Sequence, residues 1–284
     1  MAASEIKHLT PDRYAVIGNP VEHSLSPVIH SLFARQTGQA IVYEKLLAPR
    51  DGFRETVIAF RDSGAKGANV TVPFKQQAYE LADGHSWRAR QATAANTLVF
   101  HEDRTVFADN TDGAGLILDI SEHLGRTLTG RRVLLIGAGG AVRGVLGPIL
   151  AEHPACVTVV NRTLATAVDL ARDFSGFGEV EVVPLQEVEL DRYDWIINGT
   201  SASLQGVLPP LPEAGLRPET VVYDMMYSKA GTTVFTEWAR RKGCRHVYDG
   251  LGMLVGQAAE SFYLWRGIRP RIGSVVAELR SVAG

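Results

Sequence analysis

The chain has 284 residues, too many for most single cores and few for three, so two domains of roughly 100 to 150 residues are expected. Hydrophobic residues make up 45% and charged residues 21%, which excludes a disordered or coiled-coil chain. With 29 basic and 31 acidic residues the net charge is -2, so there is no electrostatic case for a nucleic-acid or membrane surface, and a small molecule is the expected partner.

In chain order, short β-branched runs alternate with amphipathic stretches, the pattern of parallel sheets built from βα units. Residues 14–17, 42–46 and 68–72 read as strands, and 27–37, 51–63 and 74–82 have helical apolar spacing. The extended runs 97–100 and 105–108 flank a polar turn and predict a hairpin. After Asn110-Thr111-Asp112-Gly113 the pattern is helical to about residue 124, and the apolar strand 133–136 then runs straight into glycines, opening a second unit. Strands at 157–160, 180–183, 195–197 and 221–223, with helices between several of them, predict a doubly wound nucleotide-binding sheet. Pro209-Pro210-Leu211-Pro212 is a loop, His246 begins a strand, and residues 250–267 form a long helix apolar on one side. No apolar run reaches the roughly 18 residues of a membrane span, and the first ten residues lack a basic-then-apolar leader pattern. Cys156 and Cys244 form no CxxC pair, which suggests a reducing compartment, with the cytoplasm as the default. Nothing separates a monomer from a homodimer.

Gly137-Ala138-Gly139-Gly140-Ala141 follows a strand and opens a helix, the context in which glycines let a backbone approach a pyrophosphate at a helix N-terminus. The third glycine of G-x-G-x-x-G falls at Val142, so the fingerprint is incomplete. The next strand ends at Asn161-Arg162-Thr163, where an NAD site would place an acid for the ribose 2′-hydroxyl. A guanidinium and two short polar side chains suit a 2′-phosphate instead, hence NADP, although an isolated Arg162 could equally be a solvated loop cation.

The loop Gly18-Asn19-Pro20-Val21-Glu22-His23-Ser24-Leu25-Ser26-Pro27 leaves the first strand at its carboxyl end. Ser26 before Pro27 reads as a helix N-cap, whereas Ser24 and Ser26 together could hold a carboxylate. Asn69-Val70-Thr71-Val72-Pro73-Phe74-Lys75 again joins a strand end to a helix start and brings Thr71 and Lys75 to the same rim. Asn96-Thr97 adds polar groups. Asp112 could merely cap its helix, yet Lys75 and Asp112 from separate loops also make an acid/base pair for interconverting an alcohol and a ketone. His23 and His30 stand seven apart without the carboxylate or thiolate partners a zinc site needs, so no metal is expected.

With GNPVEHSLSPVIH, NVTVPFK, NTDG, GAGGAVR, NRT, YDMMY and DGLGMLVGQAA in order, the chain resembles the shikimate dehydrogenase family from about Tyr14 to Gly267. The resemblance implies an N-terminal α/β substrate-binding domain (1–112), a Rossmann-type NADP-binding domain (113–249) and C-terminal helices (250–284) that return to the first domain. It implies reduction of 3-dehydroshikimate to shikimate with NADPH, with Lys75 and Asp112 catalytic. Ser24, Ser26 and Tyr227 would bind the substrate carboxylate, and Thr71, Asn96, Asp112 and Gln257 the ring hydroxyls. Thr200, Met225, Gly250 and Met253 would join the glycine loop and the Asn161-Arg162-Thr163 turn around the cofactor. An aspartate beside a lysine favours the ammonium, making Lys75 a ready proton donor in reduction, whereas oxidation should quicken at alkaline pH. The chain departs from the family pattern in three places. Leu164-Ala165-Thr166-Ala167 supplies no second basic residue, Asn198-Gly199-Thr200-Ser201-Ala202-Ser203 replaces NATS-x-G, and no glycine precedes Asn96. Two other readings stand beside the main one: a quinate/shikimate dehydrogenase using NAD, and a catalytically silent ligand-binding regulator, against which Lys75 and Asp112 argue.

Overall fold

Two six-stranded sheets organise residues 10–212, 215–228 and 230–283, which the computed structural model describes. Residues 1–9 and 284, which the expected domain limits include, lie outside the described residues. The first unit runs β1 (Asp12–Gly18), α1 (Ser26–Thr37), β2 (Ile41–Leu47), α2 (Phe53–Asp62), β3 (Gly67–Val70), α3 (Lys75–Leu81), β4 (Gly84–His85), α4 (Trp87–Ala92), β5 (Thr97–Phe100) and β6 (Val106–Asp109). Its strands lie in the order β2-β1-β3-β5-β6-β4. The first three are parallel, and β5 runs antiparallel to both β3 and β6, so the predicted hairpin is present as the antiparallel part of a mixed sheet.

Helix α5 (Asp112–Leu118) leads into the second unit: β7 (Arg132–Ile136), α6 (Gly140–Ala151), β8 (Cys156–Val160), α7 (Leu164–Asp173), β9 (Val180–Val182), β10 (Trp195–Asn198), β11 (Val221–Asp224), α8 (Val234–Arg241) and β12 (His246–Tyr248). These strands are all parallel, in the order β12-β11-β10-β7-β8-β9. The chain winds outward in both directions from β7, and the neighbouring carboxyl ends of β7 and β10 therefore form the crevice where such sheets take ligands. The central strands, buried on both faces, are nearly continuous apolar runs, such as Val133, Leu134, Leu135 and Ile136 of β7.

Two helices close the chain, α9 (Leu251–Arg266) and α10 (Ile272–Ala283). They return to the first unit, where Val255, Ala258, Phe262, Ile272 and Val275 pack with Ile29 and Phe33 of α1. The Trp265 ring stacks on Tyr14 of β1 at 4.6 Å, and its Nε1 donates to Leu98 O of β5 at 2.9 Å. The other face of that sheet is covered by α2 and α3 through Phe53, Val57, Phe60 and Phe74. Helices α5 and α9 cross without side chains between them. A Cβ on Gly256 would lie 2.4 Å from Gly115 O, and one on Gly115 would lie 2.3 Å from Gln257 N.

The structure corrects three local expectations. The helix after Asp112 does not continue unchanged to residue 124, because a π-helical turn, Asp119–His123, follows α5. There buried Asp119 accepts from Tyr223 Oη at 2.6 Å and sits 2.7 Å from His123 Nδ1. β3 ends at Val70, and Thr71 instead starts a turn in which Phe74 N donates to its carbonyl. Ser26 is not an N-cap. It is the first helical residue, and Leu25 occupies the cap position with no side-chain bond. No helix among the described residues is long and apolar enough to cross a membrane.

Candidate active site

Four of the expected site residues meet directly. Lys75, the first residue of α3, donates from Nζ to Asp112 Oδ2 at 2.5 Å. Asn96 Nδ2 donates to Asp112 Oδ1 at 2.8 Å and to Gln257 Oε1 at 3.2 Å. Asp112 is the first residue of α5, not its cap, and its carboxylate is spent on the lysine and the amide. Both oxygens of that carboxylate are therefore oriented, one by a cation and one by a neutral donor. The lysine keeps about a third of its side chain accessible (33%), against 15% for the aspartate, so the ammonium is the member of the pair open to a ligand.

Asn96 is itself fixed from behind. Its Oδ1 accepts from Thr111 N at 2.8 Å and from the hydroxyls of Thr97 and Thr111, each at 3.1 Å. Ser261 Oγ lies 2.7 Å from Thr97 Oγ1 and accepts from Asn69 Nδ2 at 2.9 Å, and Asn69 Oδ1 in turn accepts from Tyr43 Oη at 2.7 Å. Thr97, Thr111 and Ser261 are fully buried. Sequence reasoning missed this layer: Asn69 and Thr111 were only letters within motifs. Ser261 offered a signal, a small polar residue one helical turn beyond Gln257 and so on the same face of its helix.

The serine loop also comes to this side of the sheet. Ser24 Oγ donates to Ser26 Oγ at 3.1 Å and accepts from Ser26 N at 3.2 Å, so the two hydroxyls hold each other at the start of α1. Tyr227 packs with Leu25 against the cluster formed by α1, α9 and α10. Burial, and after it the Asp249 carboxylate, raises its phenol above the ordinary range. Thr71 is half-buried, its methyl beneath Gly18, where a Cβ would lie 2.4 Å from Thr71 Cγ2.

The expected cofactor residues stand along the carboxyl edge of the second sheet, at the ends of successive strands. Gly137 has φ +108°, which an L side chain rarely adopts, and added Cβ atoms on Gly139 and Gly140 would meet nothing within 4 Å. The loop is thus bare backbone opening onto the N-terminus of α6, which fits a pyrophosphate. Arg162, at the end of β8, is exposed and makes no ion pair among the described residues, so its guanidinium is available for a 2′-phosphate. Asn161 Nδ2 donates to Thr163 O at 2.9 Å and shapes that turn. The residues present fit NADP.

Val142, at the third-glycine position, is fully buried. The room it needs comes from Gly199, where a Cβ would lie 2.4 Å from Val142 Cγ2. Thr200 is held by Asn198 Oδ1, which accepts from its hydroxyl at 2.7 Å, while Asn198 Nδ2 donates to Asp224 Oδ1 at 3.0 Å. Burial raises the Asp224 carboxyl, and the Thr233 and Ser203 hydroxyls that donate to it offset part of that shift. Met225 and Met253 are buried in the core cluster beside Val142. Gly250 is pressed on Met225, whose carbonyl oxygen would lie 2.1 Å from an added Cβ, so glycine there is required by packing.

The two halves of the site are joined by α5. An added Cβ on Gly113 would lie 2.6 Å from Gly144 O, and the Asn110 amide lies against Gly144, so the loop bearing Asp112 rests on α6 a turn beyond the glycine loop. Family models match the chain in three places: "Shikimate dehydrogenase substrate binding domain" at residues 16–98, "Shikimate / quinate 5-dehydrogenase" at 119–208 and "Shikimate 5'-dehydrogenase C-terminal domain" at 250–280. The chain is 54% identical to a shikimate dehydrogenase (NADP(+)) of Nitrosospira multiformis over 96% of its own length and 98% of that protein's. The chain belongs to the shikimate dehydrogenase family. Among solved structures, shikimate 5-dehydrogenase from Thermus thermophilus, in complex with NADP(H) and shikimate, superposes with a TM-score of 0.84 at 31% identity, covering 96% of this chain and 100% of the other. The Ael1 enzyme from Pseudomonas putida superposes at 0.88 with 44% identity, covering 94% and 98%. The expected shikimate dehydrogenase architecture, two α/β units with the last helices returned to the first, is what the fold displays.

Proposed function

We propose that this shikimate dehydrogenase catalyses the reversible NADPH-dependent reduction of 3-dehydroshikimate to shikimate, a step toward the aromatic amino acids. The observation that carries the reading is the Lys75–Asp112 pair, half open to ligand and resting on the helix that begins at the glycine loop. NADPH, when bound, supplies the hydride. Lys75 stabilises the negative charge that grows on the carbonyl oxygen and donates the proton that makes it a hydroxyl. Asp112 holds and aims the lysine, while Asn96 and Gln257 orient Asp112 and, with Thr71, receive the ring hydroxyls. Ser24 and Ser26 offer hydroxyls at a helix start, and Tyr227 a phenol, to the substrate carboxylate. On the cofactor, Gly137, Ala138, Gly139, Gly140 and Ala141 take the pyrophosphate, and Asn161, Arg162 and Thr163 take the 2′-phosphate. Thr200, Met225, Gly250 and Met253 line the nicotinamide end.

We assign residues 1–112 to substrate binding, 113–249 to NADP binding and 250–284 to the returning helices. The two sheets with separate cores support this division. We assign the chain to the cytoplasm, with which two cysteines that form no disulfide accord, as a monomer or homodimer. The test is a kinetic panel of shikimate and quinate against NADP and NAD, which also separates the quinate/NAD alternative, run with Lys75→Ala and Asp112→Asn. The expected result is preference for shikimate with NADP and a fall in kcat of about 10² to 10⁴ in Lys75→Ala with NADPH binding unchanged. Parental turnover in Lys75→Ala would remove the assigned acid.

A further inference from the structure

We propose that the amino edge of the second sheet carries a separate binding site for a small di- or trianion bearing phosphate or carboxylate groups. A cavity of about 620 Å³ opens there, within the size range of small-molecule sites. Its walls include Trp195, Val221 and His246, which begin β10, β11 and β12, and Arg131, which immediately precedes β7. The dinucleotide belongs to the opposite, carboxyl edge, so this cavity is no extension of the cofactor crevice.

Charge decides the class of ligand. Arg131 is exposed and makes no side-chain hydrogen bond or ion pair among the described residues. Arg126 spends its donors on neutral partners, Nε on Tyr248 Oη at 3.3 Å and Nη2 on His246 Nδ1 at 2.8 Å. Arg217 donates from Nη2 to Asp194 Oδ1 at 3.0 Å, and its buried Nε has no hydrogen-bond partner. Of the two acids on the wall, Asp194 is occupied by Arg217 and by Arg132 N, and Glu219 stands 3.9 Å from Arg217 Nε. Two guanidiniums thus remain without a carboxylate.

His246 adds a further donor to the wall. Because Nδ1 accepts from Arg126, the ring is neutral and offers Nε2–H as a further donor. Its proton affinity is lowered first by desolvation and then by the charges of Arg126 and Arg245. Guanidinium forks match phosphate and carboxylate oxygens in pairs, while Trp195 and Val221 provide an apolar floor for a carbon skeleton.

The experiment is calorimetric titration of the full chain, saturated with NADP+ so that the glycine loop and Arg162 are occupied, with inorganic pyrophosphate and separately with citrate. At least one anion binds in the submillimolar range, and Arg131→Ala and Arg126→Ala each weaken it by about tenfold or more. Pyrophosphate alone binding marks a phosphate ligand, and citrate alone a carboxylate. Because Arg131 is exposed, its alanine variant keeps the fold, which an unchanged melting temperature verifies. No binding of either anion at millimolar concentration, binding that NADP+ abolishes, or undiminished binding in Arg131→Ala would overturn the proposal.

Discussion

At the scale of single residues, Gly199 and Val142 form one packing unit. Val142 fills the place where the nucleotide fingerprint has its third glycine, and the opposing backbone is bare. In Gly199→Ala the new Cβ would meet Val142 Cγ2 at 2.4 Å and Met225 Sδ at 3.1 Å, so the loop that carries Thr200 must shift. Overpacking of this kind costs about 1–3 kcal/mol. Urea unfolding should show that loss together with a raised KM for NADPH, and Val142→Ala in the same chain should restore part of both. Additive effects in the double variant would break the link. His30 offers a second residue-scale test. It is fully buried among Phe33, Tyr43, Phe262 and Trp265, and neither ring nitrogen has a hydrogen-bond partner. Desolvation lowers its pKa from 6.5 to about 3, and nearby Asn69, without hydrogen-bond geometry to the ring, offsets only part of that. In this pH window the unfolded chain takes up a proton that the folded chain refuses, so stability falls as pH drops from about 6.5 toward about 3. His30→Phe should flatten the dependence of unfolding free energy on pH between these limits by about 1.4 kcal/mol per pH unit. Parallel slopes in the two proteins would refute it.

At the scale of elements, α4 ties the loop of Asp112 to the helix of Gln257. Arg88 donates to Asp109 through Nη2 at 2.5 Å and to Glu260 through Nη1 at 3.1 Å, and the three side chains are 16%, 2% and 9% exposed. Asp109 Oδ1 also accepts from Asn110 N at 2.7 Å, so the guanidinium sets the backbone that leads into Asp112. Arg88→Met leaves Asp109 without its countercharge, and such a break in a buried pair costs about 3–5 kcal/mol. Chemical denaturation should register it, with kcat falling more than KM rises, and Arg88→Lys should lose less. An Arg88→Met protein as stable as its parent would show that the bridge is incidental. This element was not legible in the sequence, since a six-residue helix is too short for periodicity to declare itself, and two-residue β4 is shorter still. Central parallel strands such as β7 were legible because burial on both faces makes them unbroken apolar runs. Lys75 and Asp112 were legible as letters in NVTVPFK and NTDG. Their support was not, because Thr97 of β5, Thr111 of the loop before α5 and Ser261 of α9 are far apart in the chain and only tertiary packing makes them one network. The π-helical turn at Asp119 is likewise set from outside, by Tyr223 on β11 and by Gly252, where an added Cβ would lie 1.9 Å from Asp119 Oδ1.

For the whole molecule, α9 is shared property. Met253 in its first turn belongs to the core of the second sheet, while Leu251, Val255, Ala258, Ala259 and Phe262 belong to the core that covers the first. Gln257 between them touches Asn96, so the last segment of the chain completes both the core and the site of the first unit. A chain ending at residue 249 would bare Ile29 and Phe33 and lose Val255, Phe262, Ile272 and Val275. Each large apolar side chain contributes about 1.5–3 kcal/mol on burial, against a total stability of about 5–15 kcal/mol for a typical domain. The truncated chain should therefore lack a rigid first unit. Near-ultraviolet circular dichroism should be lost and a hydrophobic dye bound, while the second sheet, whose core loses only Met253, should still bind NADP through the glycine loop and Arg162, more weakly for want of Gly250 and Met253. Native near-ultraviolet spectra from the truncated chain would mean that the first unit is stable alone and that α9 serves the site without holding up the fold.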